Sequence, residues 1–251
     1  MNQLQRFYQW VATSPSLFEL HPPMVDFLND TIPPLSDSLQ YDGNPRLGFL
    51  YQYLCTHVIE NTEYLKIELE EIQLNAACGR TLGAIDLILH NQQKQRFEHW
   101  EVAIKFYLLH NGIWYGPNAH DQLDKKLDRM LSHQLKMSHT DEFRNEHSQY
   151  ESLTEQLLMQ GRLYINPFSP EQVPNECLGY PLNPTQINGY WCYQSQWNLL
   201  EEPLYELEKP LWAIGREEFT TPIEKPDGRF VHAQTKSGQF WFVVPDSWPN
   251  K

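Results

Sequence analysis

The sequence predicts a mixed α/β protein, and three observations carry that prediction. Residues 46–60 set Leu47, Leu50, Tyr51, Leu54 and Val58 at helical spacing, with Gln52, Thr56 and Glu60 on another face. Residues 97–109 alternate with a period of two, Trp100, Val102, Ile104, Phe106 and Leu108 against His99, Glu101, Ala103, Lys105 and Tyr107, as a strand with two different faces does. Between them lie extended stretches around 72–76 and 82–89, the second apolar except for Asp86.

In chain order, residues 1–45 read as an N-terminal arm packed on the core. A short helical pattern from Leu4 to Val11 is followed by turns at Pro15, Pro22, Pro23, Pro33 and Pro34, because proline caps helices rather than continuing them. Residues 46–165 form the core: the helix, three strands, a helix capped by Gly116-Pro117-Asn118, a second helix over about 141–159 ended by Gly161, and a strand at 162–165. The first of these two helices places Asp121 and Asp124 in its opening turns, where the helix dipole favours acids, and carries Leu123, Leu127, Met130 and Leu131 as its apolar stripe. Residues 166–251 read as a proline-rich connection and a β-rich extension, an antiparallel meander with turns at Asn188-Gly189, Pro226-Asp227-Gly228 and Ser237-Gly238. Five tryptophans in this last part, Trp191, Trp197, Trp212, Trp241 and Trp248, supply its core rather than a stacking platform for bases.

Composition narrows the function classes. With 251 residues the chain can bury a sizeable core without disulfides, and its four scattered cysteines form no CxxC pair, which speaks against zinc and for reduced thiols in the cytoplasm. No secretory leader and no apolar run long enough to span a bilayer is expected. A formal charge of -13 repels phosphate backbones at long range, so any nucleic-acid contact must be local. The absence of a Walker loop, HExxH, GxSxG and GxGxxG leaves those enzyme classes without support.

What remains is charge on a sheet. If strands 82–89 and 97–109 form a hairpin, registers that set Asp86 opposite Glu101 or Ala103 put Asp86, Glu101 and Lys105 on one face. Two carboxylates able to hold a hard cation, and an ammonium able to orient water or neutralise phosphate, form a minimal kit for phosphodiester hydrolysis. An ion-paired structural patch is the plain alternative. Lys125, Lys126, Arg129, His133 and Lys136 form a basic island that could track a phosphate strand or simply be solvated. Gln134 reads as surface, His99 as structural and Tyr107 as packing.

The order of helix, three-stranded meander with an Asp, acid-and-Lys strand, helix and strand resembles the PD-(D/E)XK phosphodiesterase superfamily over about residues 46–165. The strings LGFLYQYL (47–54), GRTLGAIDLIL (79–89), HWEVAIKFYL (99–108), GPNAHDQLDKKL (116–127) and HQL (133–135) resemble a bacterial family known only as a domain of unknown function. The first resemblance implies a restriction-endonuclease-like core, a nucleic-acid phosphodiester as substrate and Mg²⁺ or Mn²⁺ on Asp86 and Glu101, with Gln52 as an outer ligand where such enzymes often carry an acid. The chain departs from the superfamily pattern at Ala103, which stands two residues before Lys105 where the acid is expected. Glu101 lies four before it, about 13 Å from Lys105 along a strand instead of about 7 Å. The alternative function is a non-catalytic module that binds nucleic acid or protein on a degenerate core.

Overall fold

The computed structural model describes residues 1–27, 40–76, 78–150 and 152–250; the expected turn at Pro33 and Pro34 lies outside them. Its centre is a sheet that, among the described residues, has nine strands in the order β1 (Leu65–Asn75), β2 (Thr81–Asn91), β3 (Arg96–His110), β5 (Leu153–Ile165), β8 (Ile187–Tyr193), β11 (Phe240–Val244), β10 (Val231–Gln234) and β9 (Tyr205–Glu206), with β4 (Ile113–Tyr115) on β3. The first three strands are antiparallel, β5 runs parallel to β3, β8 parallel to β5 and β11 parallel to β8. A separate hairpin of β6 (Glu176–Cys177) and β7 (Tyr180–Pro181) lies off the sheet.

Helices cover both faces. On one side α1 (Gln3–Thr13) and α2 (Leu47–Glu60) bury Phe7, Val11, Tyr51, Leu54 and Val58 against Leu87, Trp100 and Leu158. Each such side chain contributes about 1.5–3 kcal/mol on burial. The α1 start is fixed by a capping box between Asn2 and Gln5, and α2 stops where the Asn61 and Thr62 side chains donate to the His57 and Val58 carbonyls. On the other side α3 (Leu123–Arg129), a π-helical turn (Met130–Gln134) and α4 (Asp141–Glu146) pack Leu123, Leu127 and Met130 on Tyr107 and Met159, and Phe143 on Ile88.

Three expectations need correction. The helix over 141–159 stops at Glu146, and the chain then extends through Gly161 as β5. Nine consecutive buried residues in β5 identify a strand covered on both faces, whose sequence loses the period-two alternation. Gly161 is required there because its φ is 147° and a Cβ would overlap the Lys105 carbonyl on β3; it caps no helix. The C-terminal strands are not an antiparallel meander of their own: β8 and β11 extend the central sheet in parallel, and only β9 and β10 are added antiparallel. The helix after residue 116 starts later than expected, at Leu123, so Asp121 stands in the loop before it.

Arg162 on β5 ties the C-terminal part to this core. It donates to Asn188 Oδ1 and to the Trp212 and Ala213 carbonyls at the short helix α5 (Leu211–Ile214), with its guanidinium over the Phe240 ring. The far edge of the sheet is β1, rich in glutamate, with two register shifts and Glu71 at a φ of 51°. The opposite edge, β9, is two residues long.

Candidate functional site

The hydrogen-bond ladder between β2 and β3 ends at Leu87 and Trp100, so the next facing pair is Asp86 and Glu101, the first of the two registers expected. Beyond that pair the strands part, and the two carboxylates replace backbone in the ladder. Asp86 Oδ2 accepts from the Val102 N–H at 2.9 Å, and Glu101 Oε1 faces the Asp86 N–H at 3.4 Å. Asp86 Oδ1 has no hydrogen-bond partner among the described residues.

Glu101 is fully buried and Asp86 half-buried. Burial, and after it the like charge of Glu101, pushes the Asp86 carboxyl up to about 7; burial pushes Glu101 to about 7 against the opposing pull of the Asp86 N–H, Lys126 and Gln134. His99, on the same strand face, bridges Glu101 Oε1 through Nε2 (3.1 Å) and Ser138 Oγ through Nδ1 (3.0 Å). Burial lowers His99 to about 4, so at neutral pH this contact is a hydrogen bond from a neutral ring and not an ion pair.

Above the carboxylates sits the helical layer. Gln134 Nε2 donates to Glu101 Oε2 at 2.8 Å, and Lys126 Nζ donates to Gln134 Oε1 at 2.9 Å. Gln134 is therefore site lining rather than surface. Burial lowers the Lys126 ammonium, the neighbouring Lys105 adds to that, and Glu101, Asp121 and Asp86 counter it. Four-residue steps from Lys126 to Met130 to Gln134 put both polar groups on the buried helix stripe, a signal present in the sequence.

Lys105 lies on the same face of β3 but turns toward the loop, donating to Asp121 Oδ2 at 2.8 Å, where the Tyr107 hydroxyl also donates at 3.1 Å. The lysine nearest the carboxylates is thus Lys126, with Lys105 one position farther along a continuous polar strip. Gln52 does not join them; its amide faces Glu71 at 3.4 Å, and the α2 groups that feel the Asp86 charge are Tyr51 and Cys55. The expected basic ridge is divided. Lys126 faces the site, Lys136 pairs with Glu155, and Lys125, Arg129 and His133 are exposed.

No group of three or more His, Cys, Asp or Glu side chains suited to a metal occurs among the described residues. All four cysteines are free, and no helix among the described residues is long and apolar enough to cross a membrane.

The fold and site define a mixed α/β protein with helices on both faces of a mixed sheet and a buried carboxylate pair where two strands part. Domain of unknown function (DUF1853) matches residues 6–218, and the chain belongs to that family. No curated protein and no solved structure matches it.

Proposed function

We propose that the chain is a divalent-cation-dependent phosphodiesterase acting on nucleic acid, with Asp86 and Glu101 as the oxygen ligands. The observation that carries this reading is the pair itself: two carboxyls on adjacent strands, both pushed to about 7, one with an oxygen that has no hydrogen bond among the described residues. Such a pair is relieved by a cation or a proton. Mg²⁺ takes one or two carboxylates and completes its shell with water and substrate phosphate, so the donor set fits without a third side chain. Bound there, the ion would supply Lewis acidity and a more acidic water.

The chain's own residues do the rest. Gln134 and His99 fix the Glu101 carboxylate from two sides, leaving it little freedom to rotate. Lys126, held by Gln134, places positive charge over both acids, and Lys105 stands behind it to neutralise a phosphate oxygen. Element order supports the reading as well, since a helix, the antiparallel meander β1–β2–β3, further helices and then a strand, β5, follow the order given by the nuclease-like resemblance.

One observation favours a second reading, a non-catalytic binding module on the same core: both Glu101 oxygens are already engaged by protein donors. Calorimetric titration with Mn²⁺, beside hydrolysis of single-stranded DNA and RNA, separates the two. The phosphodiesterase reading expects one Mn²⁺ site, lost in Asp86→Asn, and hydrolysis lost in Asp86→Asn and Lys126→Ala. No Mn²⁺ binding, with both variants matching wild type on every substrate, overturns it.

A further inference from the structure

Beside the carboxylate pair, the edge of β3 opens into a cleft of about 270 Å³ between the first turn of α2, the 116–121 loop and α5. Its apolar wall includes Phe106, Trp212 and Phe230, with Trp212 edge-on to Phe106 and to Phe230. Lys105, Lys209 and Asp121 also line it, Lys105 half-buried and Lys209 exposed, so two ammonium groups stand against one carboxylate. The same Lys105 touches Asp121 and is felt by Lys126, so the cleft and the carboxylates share one electrostatic strip.

We propose that this cleft seats a single unpaired nucleotide of the substrate, its base against the Trp212 and Phe230 wall and its phosphate between Lys105 and Lys209. The proposal rests on the phosphodiesterase reading and gives it a substrate class: single-stranded or frayed nucleic acid rather than intact duplex. Three physical points carry it. The volume falls just below the roughly 300–1,000 Å³ of drug-sized ligand sites, which suits one nucleotide and excludes a base pair. Every base has a π-face, so an aromatic wall accepts any of them once it has left the stack. In a chain of charge -13, a phosphate has to be held by local ammonium groups. A second aromatic cleft, lined by Phe168, Tyr190 and Trp241, is lined also by Glu201 and Glu202 and, among the described residues, by no lysine or arginine, and would repel a phosphate.

Gly48 provides the test. It lines the cleft, is exposed, and a Cβ there meets nothing within 4 Å, so Gly48→Leu narrows the cleft without disturbing the packing. Calorimetry with deoxyadenosine 5′-monophosphate, deoxyadenosine and inorganic phosphate is run on wild type, Gly48→Leu and Lys209→Glu, with Mn²⁺ binding measured in parallel and folding checked by circular dichroism. The monophosphate is expected to bind wild type at least tenfold more tightly than the nucleoside or phosphate, and to lose at least tenfold in each variant. Mn²⁺ affinity is expected to stay the same in both. Equal affinity for inorganic phosphate, absence of nucleotide binding, or variants that bind as wild type does would each overturn the proposal. Should Gly48→Leu fail to fold, Lys209→Glu decides alone. Intact Mn²⁺ binding without nucleotide binding sinks the cleft and leaves the carboxylate site standing; absent Mn²⁺ binding with nucleotide still held sinks the phosphodiesterase reading instead.

Discussion

Replacing Glu101 with Gln isolates what the buried carboxyl costs the fold. The side chain is 0 % exposed, and burial carries its ionisation from 4.5 up to about 7. Because the folded chain holds this proton more tightly than the unfolded chain, the carboxyl's contribution is fully present below about pH 4 and is lost as the pH rises through 7. At roughly 1.4 kcal/mol per pH unit, the loss by pH 8 is about 3 kcal/mol. Gln keeps the shape: its oxygen still accepts from Gln134, and its amide can donate to His99 protonated on Nδ1, while the long contact from the Asp86 N–H is given up at every pH. Urea unfolding of Glu101→Gln and wild type at pH 5, 6, 7 and 8 therefore expects the stability difference to move in the variant's favour by about 2–3 kcal/mol between pH 5 and pH 8. The same variant loses Mn²⁺ binding, so function and stability move in opposite directions. A stability difference that does not change with pH would refute the reasoning.

Three further outcomes follow from the structure. Protons compete for Asp86 and Glu101 below about 7, so Mn²⁺ affinity measured by calorimetry climbs between pH 6 and 8 and levels off above; a constant affinity removes these carboxylates as ligands. Gly161→Ala forces a Cβ into the Lys105 carbonyl at a φ of 147°, and thermal melting should show a loss of about 3 kcal/mol or more. Arg162→Leu leaves the Trp212 and Ala213 carbonyls without their donor, while the exposed Asn188 amide oxygen can turn to water; at about 1–3 kcal/mol for each buried unpaired group, urea unfolding should show a loss of about 3 kcal/mol, and a loss under about 1 kcal/mol would mean that α5 is held by other contacts.

Much of the first half of the chain is legible because its signals are local. The stripe of α2, the alternation of β3 and the aspartate inside β2 are periodic features, and period two fixes which β3 residues can face Asp86. The sequence 153–165 misleads because Leu, Gln, Met and Glu favour helices, whereas burial on both faces makes it a strand; the parallel pairing to β3 that decides this is between residues about 56 apart, as Phe97 and Leu153 are. Pairing of β8 with β5 and of β11 with β8 is equally non-local, and turn chemistry alone cannot report it. At the site, the carboxylate pair is readable and its cation is not. Lys126 reads in the sequence as one member of the same basic island as Lys125, and only its spacing from Met130 and Gln134 separates the two.

The two outer strands of the sheet bear on how this molecule lives among copies of itself. A long free edge is a template on which another chain can add a strand. Here the long one, β1, carries Glu68, Glu70 and Glu71 and breaks register twice, so an identical neighbour approaching it would bring like charges together on a bent and irregular rail. The other, β9, ends after two residues and offers too few free backbone groups to start a ladder. Growth of the sheet into a filament is thereby discouraged at both ends by the same strands that bound the fold.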